Sequence, residues 1–223
     1  MLGRRARLPV LAEIAGPPEG TRAWSLRRSD FEGLGEVLPR LAALRVVLVS
    51  GEGELAPLAA ISLAAASAAS GRRTILVECD LARPQLAAHI GLAAAPGLHE
   101  YLRWEAEPAD VLQPVAMAGP AAAGASEPLV CVCAGRPASK AETLLGLQSF
   151  AHMVAKLRGA YELVVLAAPP AATEPGPCLA AARQADAALA ALPAAEASSR
   201  GGKHLRAAVL RLPIPALGTI AVG

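Results

Sequence analysis

The chain has 223 residues, 54% of them hydrophobic, and a formal net charge of +2 at pH 7. This length fits one α/β domain with a buried core, and the hydrophobic content excludes a chain that is disordered overall. The charge is nearly neutral and no stripe of basic residues is interleaved with aromatic ones, which excludes a typical nucleic-acid-binding surface.

Apolar strands alternate with helices along most of the chain. The predicted strands are continuous apolar runs at 46–50, 74–79, 129–133, 162–167, 186–192 and 216–222. The predicted helices cover 29–44, 56–70, 85–90, 97–104, 108–113, 141–158, 177–184 and 199–212. Residues 1–28 are expected to form an extended segment and 116–127 a surface loop of low complexity. The alternation predicts an α/β domain over 29–223, a mostly parallel central sheet with helices on both faces.

A glycine-rich turn, Gly51-Glu52-Gly53-Glu54, joins the strand at 46–50 to an alanine-rich helix. A strand, a glycine-rich turn and a helix N-terminus form the layout of a phosphate-binding loop. A working loop needs a lysine for the phosphates and a serine or threonine for Mg²⁺. Residues 51–61 contain no Lys, Arg, Ser or Thr, and the two glutamates of the turn would repel a polyphosphate. The pattern indicates a nucleotide-hydrolase scaffold that no longer hydrolyses nucleotide.

Six segments, taken in chain order, carry a resemblance to a known family. They are 8–11 (LPVL), 75–84 (ILVECDLARP), 97–115, 134–150, 161–170 (YELVVLAAPP) and 214–222 (IPALGTIAV). Together they resemble the cytoplasmic domain of bacterial tyrosine kinases and exopolysaccharide-synthesis ATPases, in the deviant-Walker P-loop group that includes the Min and Par ATPases. The resemblance covers nearly the whole chain. It implies a P-loop NTPase-like fold, with ATP and Mg²⁺ as the cofactors of the family.

The chain departs from the family pattern at the positions that carry its chemistry. The phosphate-loop lysine would fall on Glu54, or on Ala56 if the helix ends are matched instead. The aspartate that supports Mg²⁺ would fall on Ala167. In the second acidic motif Glu78 stands for the first carboxylate and Asp80 keeps the second. Because phosphoryl transfer depends on positioning and charge neutralisation, these losses together predict negligible catalysis.

The resemblance therefore implies a vestigial nucleotide site without catalytic residues or metal ligands. Its residues are Gly51, Glu52, Gly53, Glu54, Asp80, Arg83 and Ala167. Arg83 follows Asp80 closely, and it either approaches a phosphate site or forms a surface ion pair with Asp80. We expect the turn glutamates to be solvated carboxylates rather than cation ligands, and we expect no cofactor in this site.

The oligomerisation motif of the family, E-x-x-R-x-x-R in a helix, would fall on Ser29, Glu32 and Gly35. Both arginines are replaced, one by a residue of opposite charge. We expect no octameric ring, and a dimer remains open. The sequence also has no C-terminal cluster of tyrosines, because Tyr101 and Tyr161 are its only two.

Three functions remain open from the sequence. The first is a catalytically inactive partner or regulator in exopolysaccharide or capsule synthesis or export, which docks on a membrane chain-length (copolymerase) protein or on an active family member. Its candidate contact surfaces are 8–24 and 98–104, where Trp24 and Trp104 either anchor a partner or pack against the domain. The second is an active ATPase or tyrosine autokinase. The third is a Min/Par-like positioning factor.

The sequence predicts a cytoplasmic protein, peripheral at most to the inner face of the membrane. The longest apolar run, 55–69, is too short and too rich in Ala and Ser to span a bilayer. Pro9 and Glu13 interrupt the stretch that follows the basic start at 1–7, so no signal peptide is expected. The basic start is either a solvated tail or weakly attracted to anionic lipid. The four cysteines and four histidines lack the spacing of a metal site.

Overall fold

An eight-stranded sheet lies at the centre of the computed structural model, which describes residues 8–16, 26–117, 129–197, 199 and 202–223. The strands are β1 (Val10–Ile14), β2 (Val46–Gly51), β3 (Thr74–Glu78), β4 (Gln113–Val115), β5 (Leu129–Val132), β6 (Leu163–Ala168), β7 (Ala187–Pro193) and β8 (Ala216–Val222). Their spatial order is β1-β8-β7-β2-β6-β3-β5-β4. The pairs are parallel except for β4 with β5. The mostly parallel sheet predicted from the sequence is confirmed.

Helices and short 3₁₀ helices cover both faces of the sheet. The helices are α1 (Leu55–Ala69), α2 (Leu86–Ile90), α3 (Leu98–Leu102), α4 (Ala141–Leu145), α5 (Gln148–Ala160), α6 (Pro175–Ala182), α7 (Ala194–Ala197) and α8 (Lys203–Val209). One hydrophobic core packs α3, α5, α6 and α8 against one face of the sheet. The other core packs α1 and α2 against the opposite face. None of the described helices is long and apolar enough to cross a membrane.

The central strands are buried on both faces, which explains their continuous apolar sequences. Every residue of β2, β3 and β6 is buried. In β2 the side chains of Val46 and Leu48 enter one core, and those of Val47 and Val49 enter the other. Successive side chains of a strand point to opposite faces, so both sets must be apolar when helices cover both faces.

Helix α1 is buried around its whole circumference. Its residues from Ala56 to Ala68 are all buried, and it contacts β2, β3 and β6 on one side and the 3₁₀ helices of the N-terminal region on another. Its alanine side chains permit the close approach that these contacts require. A helix that is hydrophobic all round is expected in such a position.

The prediction of an α-helix at 29–44 is wrong. The structure has three 3₁₀ helices there, at Arg28–Asp30, Glu32–Leu34 and Leu38–Leu41. Gly33 packs directly against β1, where a Cβ atom would lie 2.6 Å from the carbonyl oxygen of Glu13. Pro39 also lacks the N–H that a continuous α-helix would use.

Two further helices differ from their predicted extent. The helix predicted at 141–158 is divided into α4 and α5, because Leu147 adopts an extended backbone with ψ of 148°. The helix predicted at 199–212 is reduced to α8 among the described residues. Most of the loop predicted at 116–127 lies outside the described residues.

The sequence analysis missed both edge strands. β1 is five residues long and pairs only with β8, and β4 is three residues long with Pro114 at its centre. Short edge strands bury fewer side chains, and an edge tolerates proline because its outer N–H groups need no partner in the sheet. β1 nevertheless lies within the segment that the sequence analysis treats as an extended arm.

A buried serine joins the carboxyl ends of β2 and β6. The Ser50 hydroxyl donates to the carbonyl oxygen of Pro169 at 2.9 Å and accepts from the Ala171 N–H at 2.9 Å. Ser50 is fully buried. By contrast, the hydroxyl of Ser62, on α1, is buried without a hydrogen-bond partner among the described residues.

Replacing Ser50 by alanine should lower the free energy of unfolding by about 1–3 kcal/mol, because it leaves a buried N–H and a buried carbonyl unpaired. The matched change Ser62→Ala removes a hydroxyl that satisfies no partner, so it should be neutral or stabilising. Urea unfolding of both variants checks the pair. Equal losses of stability in the two variants would contradict the hydrogen bonds assigned to Ser50 and their absence at Ser62.

Candidate functional site

A small cleft lies where the carboxyl ends of β2, β3 and β6 meet. Its lining residues are Gly51, Gly53, Ala56, Pro57, Glu78, Asp80, Arg83, Gln85, Ala167 and Ala168. In open parallel sheets ligands bind outside the carboxyl ends of the strands, so this is the expected position of a site. The cavity is only about 10 Å³, close to the minimum that holds one water molecule.

The connection between β2 and α1 is much shorter than a phosphate-binding loop. β2 ends at Gly51 and α1 begins at Leu55, so only Glu52, Gly53 and Glu54 lie between them. The Walker motif places four residues between its two glycines, and backbone N–H groups of this loop surround the phosphates. Here Glu52 alone separates Gly51 from Gly53, which is too short a loop to form that cradle.

The two glycines of the turn have different structural roles. Gly53 has a φ of +55°, in the left-handed region that favours glycine, and a Cβ atom there would meet open space. Gly51 instead sits in a crowded position, where a Cβ atom would lie 2.8 Å from the carbonyl oxygen of Ala191 and 2.9 Å from the backbone nitrogen of Ala56. Gly51 therefore allows α1 to start directly against β7.

The first turn of α1 has few N–H groups to offer an anion. The N–H of Leu55 donates to the carbonyl oxygen of Glu52 at 3.1 Å, and Pro57 has no N–H. The Glu54 side chain, at the N-cap position, forms no capping hydrogen bond. A helix N-terminus binds phosphate through free N–H groups, and two of the first three positions of this helix cannot contribute one.

Ala167 lines the cleft at the position where the resemblance stated from the sequence would place an acidic residue. It lies on β6, paired with Val49 of β2 and with Glu78 of β3, and is 3% exposed. Its carbonyl oxygen accepts from the Cys79 N–H at 2.8 Å. A methyl group offers no oxygen to a metal ion or to its bound water.

Arg83 is the one cation among the described residues that line the cleft, and it is paired with acidic groups. Its guanidinium contacts Asp80 at 3.5 Å and also forms an ion pair with Glu174, at the start of α6. Its backbone N–H donates to the Asp80 carboxylate at 3.0 Å. The ion pair with Asp80 that the sequence analysis offers for Arg83 is present, and the same side chain lines the cleft.

Glu78 is a buried carboxylate at the end of β3, 2% exposed. One of its oxygens accepts from the backbone N–H groups of Gln85 and Leu86, and the other accepts from the Ala134 N–H at 2.9 Å. Burial raises the pKa of Glu78 above its usual value. The three hydrogen bonds stabilise the charged form and therefore lower the pKa, but burial is the larger effect. Beside it, the side-chain oxygen of Gln85 is buried without a donor among the described residues.

The residues of this cleft do not fit a magnesium–nucleotide complex. The charged groups in and around it are the carboxylates of Glu52, Glu54, Glu78, Asp80 and Glu174 and the single guanidinium of Arg83. The hydroxyl of Ser50, the nearest in sequence, is already bonded to the 169–171 segment. Among the described residues, the cleft therefore offers a triphosphate only the ion-paired guanidinium of Arg83 and the Thr173 hydroxyl, which contacts Glu52 at 3.4 Å, and no long glycine-rich loop.

The structure brings most of the predicted site residues together. Gly51, Gly53, Asp80, Arg83 and Ala167 line the cleft. Glu52 and Glu54 are exposed on the turn beside it. The sequence analysis did not place Glu78, Gln85 and Pro57 in the site. The Glu-Cys-Asp sequence was a signal for Glu78, whereas the role of Gln85 depends on how α2 packs.

The other sequence-predicted features fall outside the cleft. Trp104 is 85% exposed, so it does not pack against the domain; Trp24 lies outside the described residues. All four cysteines are buried free thiols. Within the described ranges, no group of three or more His, Cys, Asp or Glu side chains is arranged to hold a metal ion.

Comparison with known proteins gives a match in structure but not in sequence. No family model matches the chain, and no curated protein sequence matches it significantly. The kinase domain of the Escherichia coli tyrosine kinase ETK matches with a TM-score of 0.78 at 16% identity, over 97% of this chain and 90% of that domain. The VpsO kinase domain matches with a TM-score of 0.71 at 21% identity, over 85% and 91% of the two chains.

The chain has the fold of bacterial tyrosine kinase domains. The fold is P-loop NTPase-like, because this chain also matches the septum site-determining protein MinD of Pyrococcus horikoshii, solved with Mg-ADP. That match has a TM-score of 0.57 at 19% identity and covers 79% of this chain and 69% of MinD. The resemblance stated from the sequence is thereby confirmed at the level of the fold.

Replacing Glu78 by glutamine should destabilise the protein by about 1–3 kcal/mol, because the amide NH₂ would face the Ala134 N–H and leave a buried donor unpaired. The loss should also depend on pH. Since the folded-state pKa of Glu78 lies above its unfolded value, the wild-type carboxyl contributes stability below the unfolded pKa and loses it as pH rises through the folded pKa. The difference between wild type and Glu78→Gln should therefore be largest in acid.

Denaturant unfolding of the two proteins over a pH series measures that difference. Glu36→Gln, which changes an exposed carboxylate that does not line the cleft, controls for the general effect of acid on stability. A difference that grows as the pH rises would contradict the raised pKa of Glu78.

Proposed function

We propose that this protein is a catalytically inactive, ATPase-like partner or regulator in the synthesis or export of exopolysaccharide or capsule. The observation that carries the proposal is the three-residue turn between β2 and α1, which presents Glu52 and Glu54 where a phosphate-binding loop and its lysine would lie. The pathway is suggested by the fold, which the chain shares with bacterial tyrosine kinase domains over nearly its whole length.

The size of the electrostatic change from lysine to glutamate supports the proposed loss of catalysis. A lysine about 4 Å from a phosphate charge contributes about 4 kcal/mol of attraction at an effective dielectric constant of 20, and a carboxylate there reverses the sign. Loss of one well-placed donor commonly lowers the rate by about 10²–10³-fold. In this chain the lysine, the hydroxyl and the acidic residue at Ala167 are all replaced.

The partner that we propose is a membrane chain-length (copolymerase) protein or an active tyrosine kinase of the same fold. The protein would then act on the cytoplasmic side, peripheral to the inner face of the membrane. If the cleft binds no nucleotide, as we propose, constitutive docking is favoured over a switch driven by hydrolysis, which counts against the Min/Par-like alternative.

Isothermal titration with Mg·ATP tests the loss of nucleotide binding. We expect no heat of binding in the micromolar range, for the wild type or for Glu54→Lys, because one cation does not lengthen the turn. The ETK kinase domain is a positive control. Micromolar binding by the wild type would overturn the proposal in favour of an active ATPase, and binding by Glu54→Lys alone would show that charge, rather than loop length, prevents binding.

We also expect the protein to form no octameric ring. The segment that contains Ser29, Glu32 and Gly35 forms 3₁₀ turns instead of the helix that the family uses for assembly, and it has no arginine at the two motif positions. Light scattering at several protein concentrations measures the mass directly. A stable octamer would contradict this expectation, whereas a monomer or dimer agrees with it.

A further inference from the structure

Trp104 combines an exposed side chain with an unfavourable backbone conformation. It follows the C-cap of α3, is 85% exposed and has a φ of +62°. Its N–H donates to the carbonyl oxygen of Tyr101 at 3.1 Å, as in a left-handed helix terminus. Glycine usually occupies that position, and bulky residues rarely do. Because the indole is exposed and the backbone that carries it is strained, we expect Trp104 to contribute little to the stability of the domain.

Ion pairs hold the residues next to Trp104 in place. Glu100, which is 4% exposed, accepts from the Gly97 N–H at 2.8 Å and from the Arg136 side chain at 2.7 Å. Glu105 bridges Arg136 at 2.7 Å and Arg103 at 2.6 Å. Arg103 and Glu105, the chain neighbours of Trp104, both belong to this network. The ion pairs therefore restrain the backbone on either side of the indole.

The surface around Trp104 is acidic, although the whole chain has a formal net charge of +2. Four carboxylates and two guanidinium groups lie in the network and in the exposed stretch that follows, which leaves a local charge of −2. They are Glu100, Glu105, Glu107, Asp110, Arg103 and Arg136. Among the described residues, Glu107 and Asp110 form no ion pair. The Asp110 carboxylate accepts from the Glu107 N–H at 2.9 Å, so its position is fixed while its charge is not neutralised by a cation.

We propose that Trp104, Glu107 and Asp110 form a docking surface for a lysine- or arginine-rich peptide segment. The face of an indole attracts a cation, and arginine stacks on it readily. The neighbouring carboxylates complement further basic residues. Cytoplasmic segments beside membrane helices carry an excess of lysine and arginine, so this chemistry suits the membrane partner. The identity of that partner rests on the proposed function, whereas the surface rests on the geometry of Trp104 and the charges of Glu107 and Asp110.

Fluorescence titration with a synthetic Arg/Lys-rich peptide tests the surface. In a Trp24→Phe background Trp104 is the only indole, so the peptide should change its emission directly. Trp104→Gly should lower the affinity, measured by calorimetry, by about tenfold or more. Glu107→Gln should lower it less, and the binding should weaken from ~0.1 M to ~1 M salt, where the screening length falls from about 10 Å to about 3 Å.

Two controls separate docking from a structural role. Trp104→Gly should leave the thermal midpoint unchanged or raise it, because glycine accepts the left-handed backbone. Glu36→Gln, an equivalent change at an exposed site on the N-terminal region, should leave peptide affinity unchanged.

Several outcomes would overturn the proposal. They are a lowered midpoint in Trp104→Gly, equal binding by Trp104→Gly and wild type, equal binding of a poly-glutamate peptide, and a dimer that Trp104→Gly abolishes. The experiment requires no nucleotide. Its failure would therefore leave the proposed loss of ATP binding intact, and micromolar ATP binding would leave the peptide result intact.

Discussion

The hydrogen bonds of the Glu78 carboxylate are the interaction on which the functional end of this molecule depends. They join the end of β3 to the start of α2 and to Ala134, just beyond β5. Burial disfavours the charged form, but three N–H donors offset much of that cost. The carboxylate that stands in the family's acidic motif therefore serves as a structural link. Glu78 also lines the cleft, whose cavity is about 10 Å³.

The changes around the cleft are physically consistent with one another. A short turn lets α1 begin directly against β7 at Gly51, and Pro57 is tolerated in the first helical turn because an N–H there has no intrahelical partner. Arg83 is bound to Asp80 and Glu174 rather than directed at a ligand. On the proposed function, we therefore expect that restoring a single residue would not restore a phosphate cradle.

The sequence predicted the central strands well and the periphery poorly. Strands such as β2 and β6 are buried on both faces, so their apolar runs have few alternative interpretations. β1 and β4 bury less, and the 29–44 segment forms 3₁₀ turns because Gly33 packs against β1, a contact that no local pattern shows. The candidate site was likewise predicted only in part. Missing residue types are visible in the sequence, but the length of the turn and the exposure of Trp104 require coordinates.

A crystal soaked in millimolar Mg·ATP tests the central claim most directly, because it examines the turn between β2 and α1 itself. The account predicts that residues 51–55 keep their conformation and that no triphosphate density lies against Gly53. Ordered nucleotide density there, with a coordinated magnesium ion and a rearranged turn, would contradict the account.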